Sequence, residues 1–121
     1  MKHQKSGRQF GRNSNQRRAM FKTLAGSLIV SGKVTTTLAK AKELRSFIDR
    51  FIGIAKHTKN VERKVSSIRL LQRRLPVSVV SILCAEDFLK RFEGRSSGYA
   101  RVIKLGQRKS DSAPMAIVEF V

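Results

Sequence analysis

Residues 33–58 read KVTTTLAKAKELRSFIDRFIGIAKHT, and their pattern changes once along the run. Val34, Thr35 and Thr36 are β-branched in succession, which suits a short strand. Thr37 then stands where a helix can be capped. Beyond it Leu38, Ala41, Leu44, Ile48, Phe51 and Ala55 recur at spacings of three and four, the stripe of a helix with one buried face. Lys40, Lys42, Glu43, Asp49 and Arg50 fall largely off that stripe, and the helix is expected to end near His57 and Thr58. A strand that turns directly into an amphipathic helix asks for a sheet with helices packed on it.

Towards the N-terminus, Asn13 or Ser14 can cap an earlier helix, and Asn13 with Gln16 makes a capping-box pattern. Met20, Phe21, Leu24, Ala25, Leu28 and Ile29 keep the helical period to about Ser31, where Gly32 stops it. Towards the C-terminus, Asn60 is expected to cap a third helix with Val61, Val65, Ile68, Leu71 and Leu75 on one face. Pro76 breaks it and starts a fourth, shorter helix through about Phe92, carrying Val79, Val80, Leu83, Phe88 and Leu89, with Gly94 at its end. RSSGY at 95–99 reads as a turn. YARVIKL at 99–105 and MAIVEFV at 115–121 read as strands of a hairpin joined by the loop GQRKSDSAP at 106–114. In the last strand Ala116, Val118 and Phe120 point one way and Glu119 the other. The expected fold is α+β, a two-layer α/β domain in the order helix, strand, three helices, β-hairpin, with a small mixed sheet.

Residues 1–12, MKHQKSGRQFGR, stand apart. They are polar, basic and punctuated by Gly7 and Gly11, and cannot bury a core alone. The expected organisation is a basic N-terminal arm over 1–12 and a single domain over 13–121.

Charge is distributed as unevenly as period. The first 42 residues hold ten Lys or Arg and no acid; Glu43 is the first carboxylate. The whole chain of 121 residues has a net charge of +18 and a pI near 11.5. A surface this one-sided repels itself and calls for an anionic partner, and such a pI is the electrostatic footprint of a nucleic-acid binder. Arg17, Arg18 and Lys22 follow the start of the first helix, where the macrodipole disfavours cations unless a phosphate lies nearby.

Other chemistries find little support. GSLIVSGK at 26–33 faintly resembles a phosphate-binding loop. However, it has five residues between its glycines where four are required, and Val34 stands in place of the hydroxyl residue. His3, His57 and Cys84 are the only imidazoles and thiol, and no two share metal-ligand spacing. Glu86 and Asp87 are adjacent and diverge on a helix, so they read as solvated partners of Lys90 and Arg91. The lone Cys84 in an apolar stretch suits a buried, reduced thiol. Neither a secretory leader nor an apolar run near the membrane-spanning length of roughly 18 residues is visible. No enzyme, cofactor, metal or small-molecule substrate is expected.

What remains is a phosphate-binding surface. Lys2, Lys5, Arg8, Arg12, Arg17, Arg18 and Lys22 supply it on the arm and first helix, since each cation on a phosphate releases counterions. Thr36, Lys40 and Lys42 at the strand–helix junction add hydroxyls and cations at a helix start. Arg108 and Lys109 sit on the hairpin loop. Tyr99, beside Arg101, reads equally as a platform for an exposed base or as a core tyrosine. For scattered basics on the third helix, such as Arg63 and Arg73, a solvated face is at least as good a reading. A DNA-binding architectural protein would be expected to show a dimer seam, and a membrane-active protein a free apolar face; neither is visible.

Three segments, in order, resemble the bacterial large-subunit ribosomal protein L-seventeen family across nearly the whole chain. MKHQKSGRQFGRNSNQRRAMF is similar to its N-terminal signature at His3, Lys5, Gly7, Arg8, Arg12, Arg17, Ala19 and Met20. VTTTLAKAKELR is similar to its most specific motif at Thr36, Thr37, Lys40, Ala41 and Lys42. The C-terminal part matches at Gly98, Tyr99, Arg101, Gly106, Arg108, Asp111, Ala113, Pro114, Met115 and Glu119. Gln16 stands where the family usually has His, Ser97 where it has Gly before the Gly-Tyr pair, and Ser110 where it has a loop Gly. The resemblance implies a two-layer α/β fold in the cytoplasmic, bacterial-type large ribosomal subunit. It also implies binding to large-subunit rRNA, with His3 and the basic residues above among the contacts, and the ribosomal protein L-thirty-two as neighbour.

Overall fold

In a computed structural model of the chain, which describes His3, Gln4 and residues 6–121, β1 (Lys33–Thr37) runs straight into α2 (Leu38–Lys56). Ala41, Leu44, Ile48, Phe51, Ile52 and Ala55 are the buried face of α2. Thr37 sits in the N-cap position with extended backbone but makes no side-chain cap bond, so the entering strand sets the helix start. α1 (Ser14–Ser31) precedes β1, and its capping box is complete. The Gln16 N–H donates to Asn13 Oδ1 at 2.9 Å, and the Asn13 N–H donates to Gln16 Oε1 at 3.1 Å.

After α2 come a 3-10 turn (His57–Lys59), α3 (Lys64–Gln72), α4 (Val77–Leu83), α5 (Glu86–Lys90), β2 (Ala100–Gln107) and β3 (Pro114–Phe120). The strand order is β1-β3-β2. Val118 lies between Val34 and Val102, and Ala116 lies between Thr36 and Lys104. Ala116, Val118 and Phe120 are buried on one face. That face meets α2, and α1 flanks β1. The α+β architecture therefore stands, with helices layered on a small sheet.

Three details differ from the expectation, and a fourth decides between two open readings. The sheet is wholly antiparallel, not mixed, because β1 pairs with the returning strand β3 rather than with β2. The third helix starts at Lys64, not after Asn60. The Asn60 carboxamide instead accepts the Glu62 N–H at 3.0 Å and holds a turn, which leaves Val61 86% exposed and Val65 59% exposed. The fourth helix is two helices, broken at Cys84–Ala85, where Ala85 is extended. In a continuous helix the positions three and four beyond the buried Leu83 would be Glu86 and Asp87. The break re-phases the chain so that these acids open α5, favourably for its dipole, while Leu89 and Phe92 return to the core. Finally, Tyr99 is a core residue. It is 2% exposed, edge-on to Phe92 at 5.3 Å, with its hydroxyl donating to the Arg95 carbonyl and its backbone N–H to Asp49. Its ring is enclosed, so it offers no face to a base.

Candidate nucleic-acid interface

Lys2 and Lys5 lie outside the described residues; His3 is exposed. From Arg8 onwards the arm is folded against the body. The Arg12 N–H donates to the Gln9 carbonyl at 3.1 Å, closing a turn whose central residues, Phe10 and Gly11, have φ of 55° and 64°. Positive φ at both positions is the pattern of a type I′ turn, easy for glycine and costly for phenylalanine. Phe10 is held there by packing. Its ring meets Phe21 edge-on at 6.0 Å, Phe21 stacks on Phe47 at 5.1 Å, and Phe47 meets Phe51 at 4.5 Å.

The cations of this region hold the arm as well as charging it. Arg12 donates to the Phe10 carbonyl at 2.8 Å. Arg17 donates to the Arg12 carbonyl at 2.6 Å and to Ser14 Oγ at 3.4 Å. Arg8 reaches across to Glu43 on α2 at 3.0 Å, which brings the arm beside the first turns of α2, where Lys42 is exposed and Lys40 half-buried. Arg18 and Lys22 are exposed on α1. Arg12 and Arg17 are thus linked at the start of α1, and Arg8 ties the arm to the first turns of α2, which carry Lys40 and Lys42. There Glu43 is already ion-paired.

Three expected contacts are placed differently. Thr36 is buried at 9% exposure, opposite Ala116, so little of its side chain is open to a phosphate. Arg101 is paired with Glu119 across β2 and β3. Arg108 forks onto Asp111 at 2.7 and 2.9 Å. That pairing, reinforced by the Ala113 N–H, holds the Asp111 carboxyl down at about 2. Arg101 and Arg108 lie on the hairpin, in segments separate from the arm, and each spends part of its charge internally. Burial pushes the Cys84 thiol up, against a Thr58 hydrogen bond that pulls it down. Among the described residues no group of His, Cys, Asp and Glu comes together to hold a metal, and no helix is long and apolar enough to cross a membrane.

One cluster has no counterpart in the sequence reading. Arg50 of α2 converges with Arg73 and Arg74, at the end of α3, around an apolar hollow. The residues are distant in the chain, and only the packing of α3 on α2 joins them. The signal available in sequence was a secondary apolar row on α2, Phe47 and Ile54, flanking Arg50.

A small basic α+β body carrying a folded cationic arm defines a class: proteins shaped to meet a polyanion. The family follows from comparison with known proteins. The model of the family described as Ribosomal protein L17 matches residues 20–121, and the chain belongs to that family, whose members are structural constituents of the ribosome rather than enzymes. Relatives extend the match over the arm. The large ribosomal subunit protein bL17 of Thermomicrobium roseum is 37% identical over all of this chain and 99% of its own length. Those of Sphingopyxis alaskensis and Syntrophotalea carbinolica are 40% and 42% identical, again over all of this chain and over 84% and 75% of their own lengths.

Proposed function

We propose that this chain binds and stabilises large-subunit rRNA as a structural constituent of the bacterial-type, cytoplasmic large ribosomal subunit, and in that way supports translation. One observation carries the RNA reading: the first 42 residues hold ten Lys or Arg and no acid, and Arg12 and Arg17 are tied together at the start of α1 while Arg8 is tied to Glu43 of α2. Arg8, Arg12, Arg17, Arg18, Lys22, Lys40 and Lys42 neutralise phosphates that otherwise repel one another, and Lys2, His3 and Lys5 add to that charge. Because A-form RNA offers phosphates and 2′-hydroxyls more readily than base edges, recognition is mainly of RNA shape. Residues 1–12 act as the arm and residues 13–121 as the body that fixes where the arm begins. Arg101 and Arg108 make secondary contacts from the hairpin. The neighbouring protein is L-thirty-two, as the family resemblance implies.

Sedimentation of ribosomal subunits through a salt series tests this. Each phosphate neutralised contributes a slope of roughly −0.7 to −0.9 in log affinity against log salt. The protein is therefore expected to migrate with the large subunit and to leave it only at high salt. Migration free of ribosomes at low salt overturns the reading.

A further inference from the structure

The hollow between α2 and α3 has a volume of about 200 Å³. Phe47 and Ile54 of α2 and Leu70 of α3 give it apolar walls over the buried Phe51, and Arg50, Arg73 and Arg74 stand around it. All three arginines are exposed. Among the described residues none of them has a carboxylate partner, although Arg8, Arg101 and Arg108 all do. No acid lines the hollow. Arg73 and Arg74 lie at the C-terminal end of α3, where the helix dipole favours cations, and this allows three like charges to gather without an internal counterion.

We propose that this hollow is a binding site for a single unpaired nucleotide, taking its base against the apolar wall and its phosphates on the arginine rim. The size suits one base: sites for drug-sized ligands run to roughly 300–1,000 Å³. The chemistry suits a nucleotide, because an unstacked base lies well on aromatic rings and guanidinium planes and arginine forks onto phosphate oxygens. An acidic peptide would satisfy the charges but leave the apolar lining of Phe47, Ile54 and Leu70 unmatched. Continuity supports the same occupant. The aromatic series that begins at Phe10 in the arm passes through Phe21 and ends in Phe47 and Phe51 at the hollow. The arm and the hollow are therefore joined by one packed aromatic row, which holds them in a fixed relation. The inference rests on the rRNA reading and adds a base-holding site to it.

The test uses full-length chain assembled into large subunits, with base-by-base chemical probing of the rRNA. One variant carries Arg50→Gln, Arg73→Gln and Arg74→Gln; a second carries Leu70→Glu, which fills the hollow with a carboxylate. Both change exposed side chains, and circular dichroism checks that each folds. A third variant, Arg18→Gln with Lys22→Gln, reports on the arm region alone. The expected result is one unpaired nucleotide, protected by the wild-type chain, that becomes reactive with both hollow variants while the arm footprint persists. Loss of one stacked base should weaken association by roughly tenfold. If the hollow variants leave every base as it was while the arm variant weakens binding, the nucleotide site is overturned and the rRNA reading stands. Crosslinks from the hollow to a protein in place of a base overturn the site as well. If the wild-type chain itself protects no RNA, both readings fail together.

Discussion

Single side chains in this protein divide between holding the fold and facing outwards, and the division does not follow residue type. Tyr99 reads on paper equally as a base platform or a core residue, and its ring is closed in by Phe92 on one side and by Lys56, whose ammonium lies 4.5 Å from the ring centre. Tyr99→Phe keeps the packing and removes the hydroxyl bond to Arg95, so stability should fall by about 0.5–1.5 kcal/mol with RNA affinity unchanged. Urea denaturation and a filter-binding assay on the same variant separate the two; a tenfold loss of affinity at unchanged stability would put the ring at the RNA after all. Asp111 offers a pH test. Its carboxyl sits at about 2 against an ordinary 3.8, held down first by the Arg108 hydrogen bonds. A carboxyl depressed on folding contributes stability above its ordinary range and loses it as pH falls through the folded value. The Arg108–Asp111 pair in the hairpin loop should therefore survive at pH 3 and open near pH 2. NMR titration of the Asp111 carboxyl reads this directly, and a midpoint near 3.8 would refute it.

Elements were legible where a period or a cap was strong and obscure where chain phase changed. α2 showed itself through an unbroken run of apolar positions, and α1 through Asn13, Gln16 and Gly32. The break between α4 and α5 was hidden because Val79, Val80, Leu83, Leu89 and Phe92 are all apolar; only the acids at 86 and 87, in the core phase of a continuous helix, betray it. The antiparallel sheet was equally hidden, since the direction of β1 relative to its neighbour depends on which strand returns beside it. Gly32 shows what an element boundary demands. Its φ of 83° caps α1, with its N–H donating to the Leu28 carbonyl at 2.8 Å, while an added Cβ would touch nothing. Gly32→Ala is therefore a pure backbone penalty of about 1–2 kcal/mol, and Gly32→Asn, which tolerates the left-handed region better, should cost less. Equal losses for the two in chemical denaturation would show that something other than φ is at stake.

At the scale of the whole molecule, charge composition announced a polyanion partner but not where the cations would gather. The arm region was legible because its residues are consecutive. The hollow was not, because Arg50 and the Arg73–Arg74 pair meet only through helix packing. The arm also proves less separable than its composition suggests. Residues 8–12 make the Arg8–Glu43 pair and seat Phe10 on Phe21, so the basic segment and the folded body overlap. Two truncations resolve the overlap. Removing residues 1–7 takes away Lys2, His3 and Lys5 but leaves both contacts, so helical circular dichroism and the thermal midpoint should hold while rRNA association weakens. Removing residues 1–12 also strips the aromatic edge contact, worth about 0.5–1.5 kcal/mol, and an exposed ion pair worth about 0–1 kcal/mol. The midpoint should then fall by a few degrees, with the helices still formed because Asn13 and Gln16 keep the α1 cap. If the longer truncation unfolds the body outright, the turn at Phe10 and Gly11 is part of the core and the boundary at residue 12 is wrong. If neither truncation changes RNA association, the anchoring surface lies wholly on the helices.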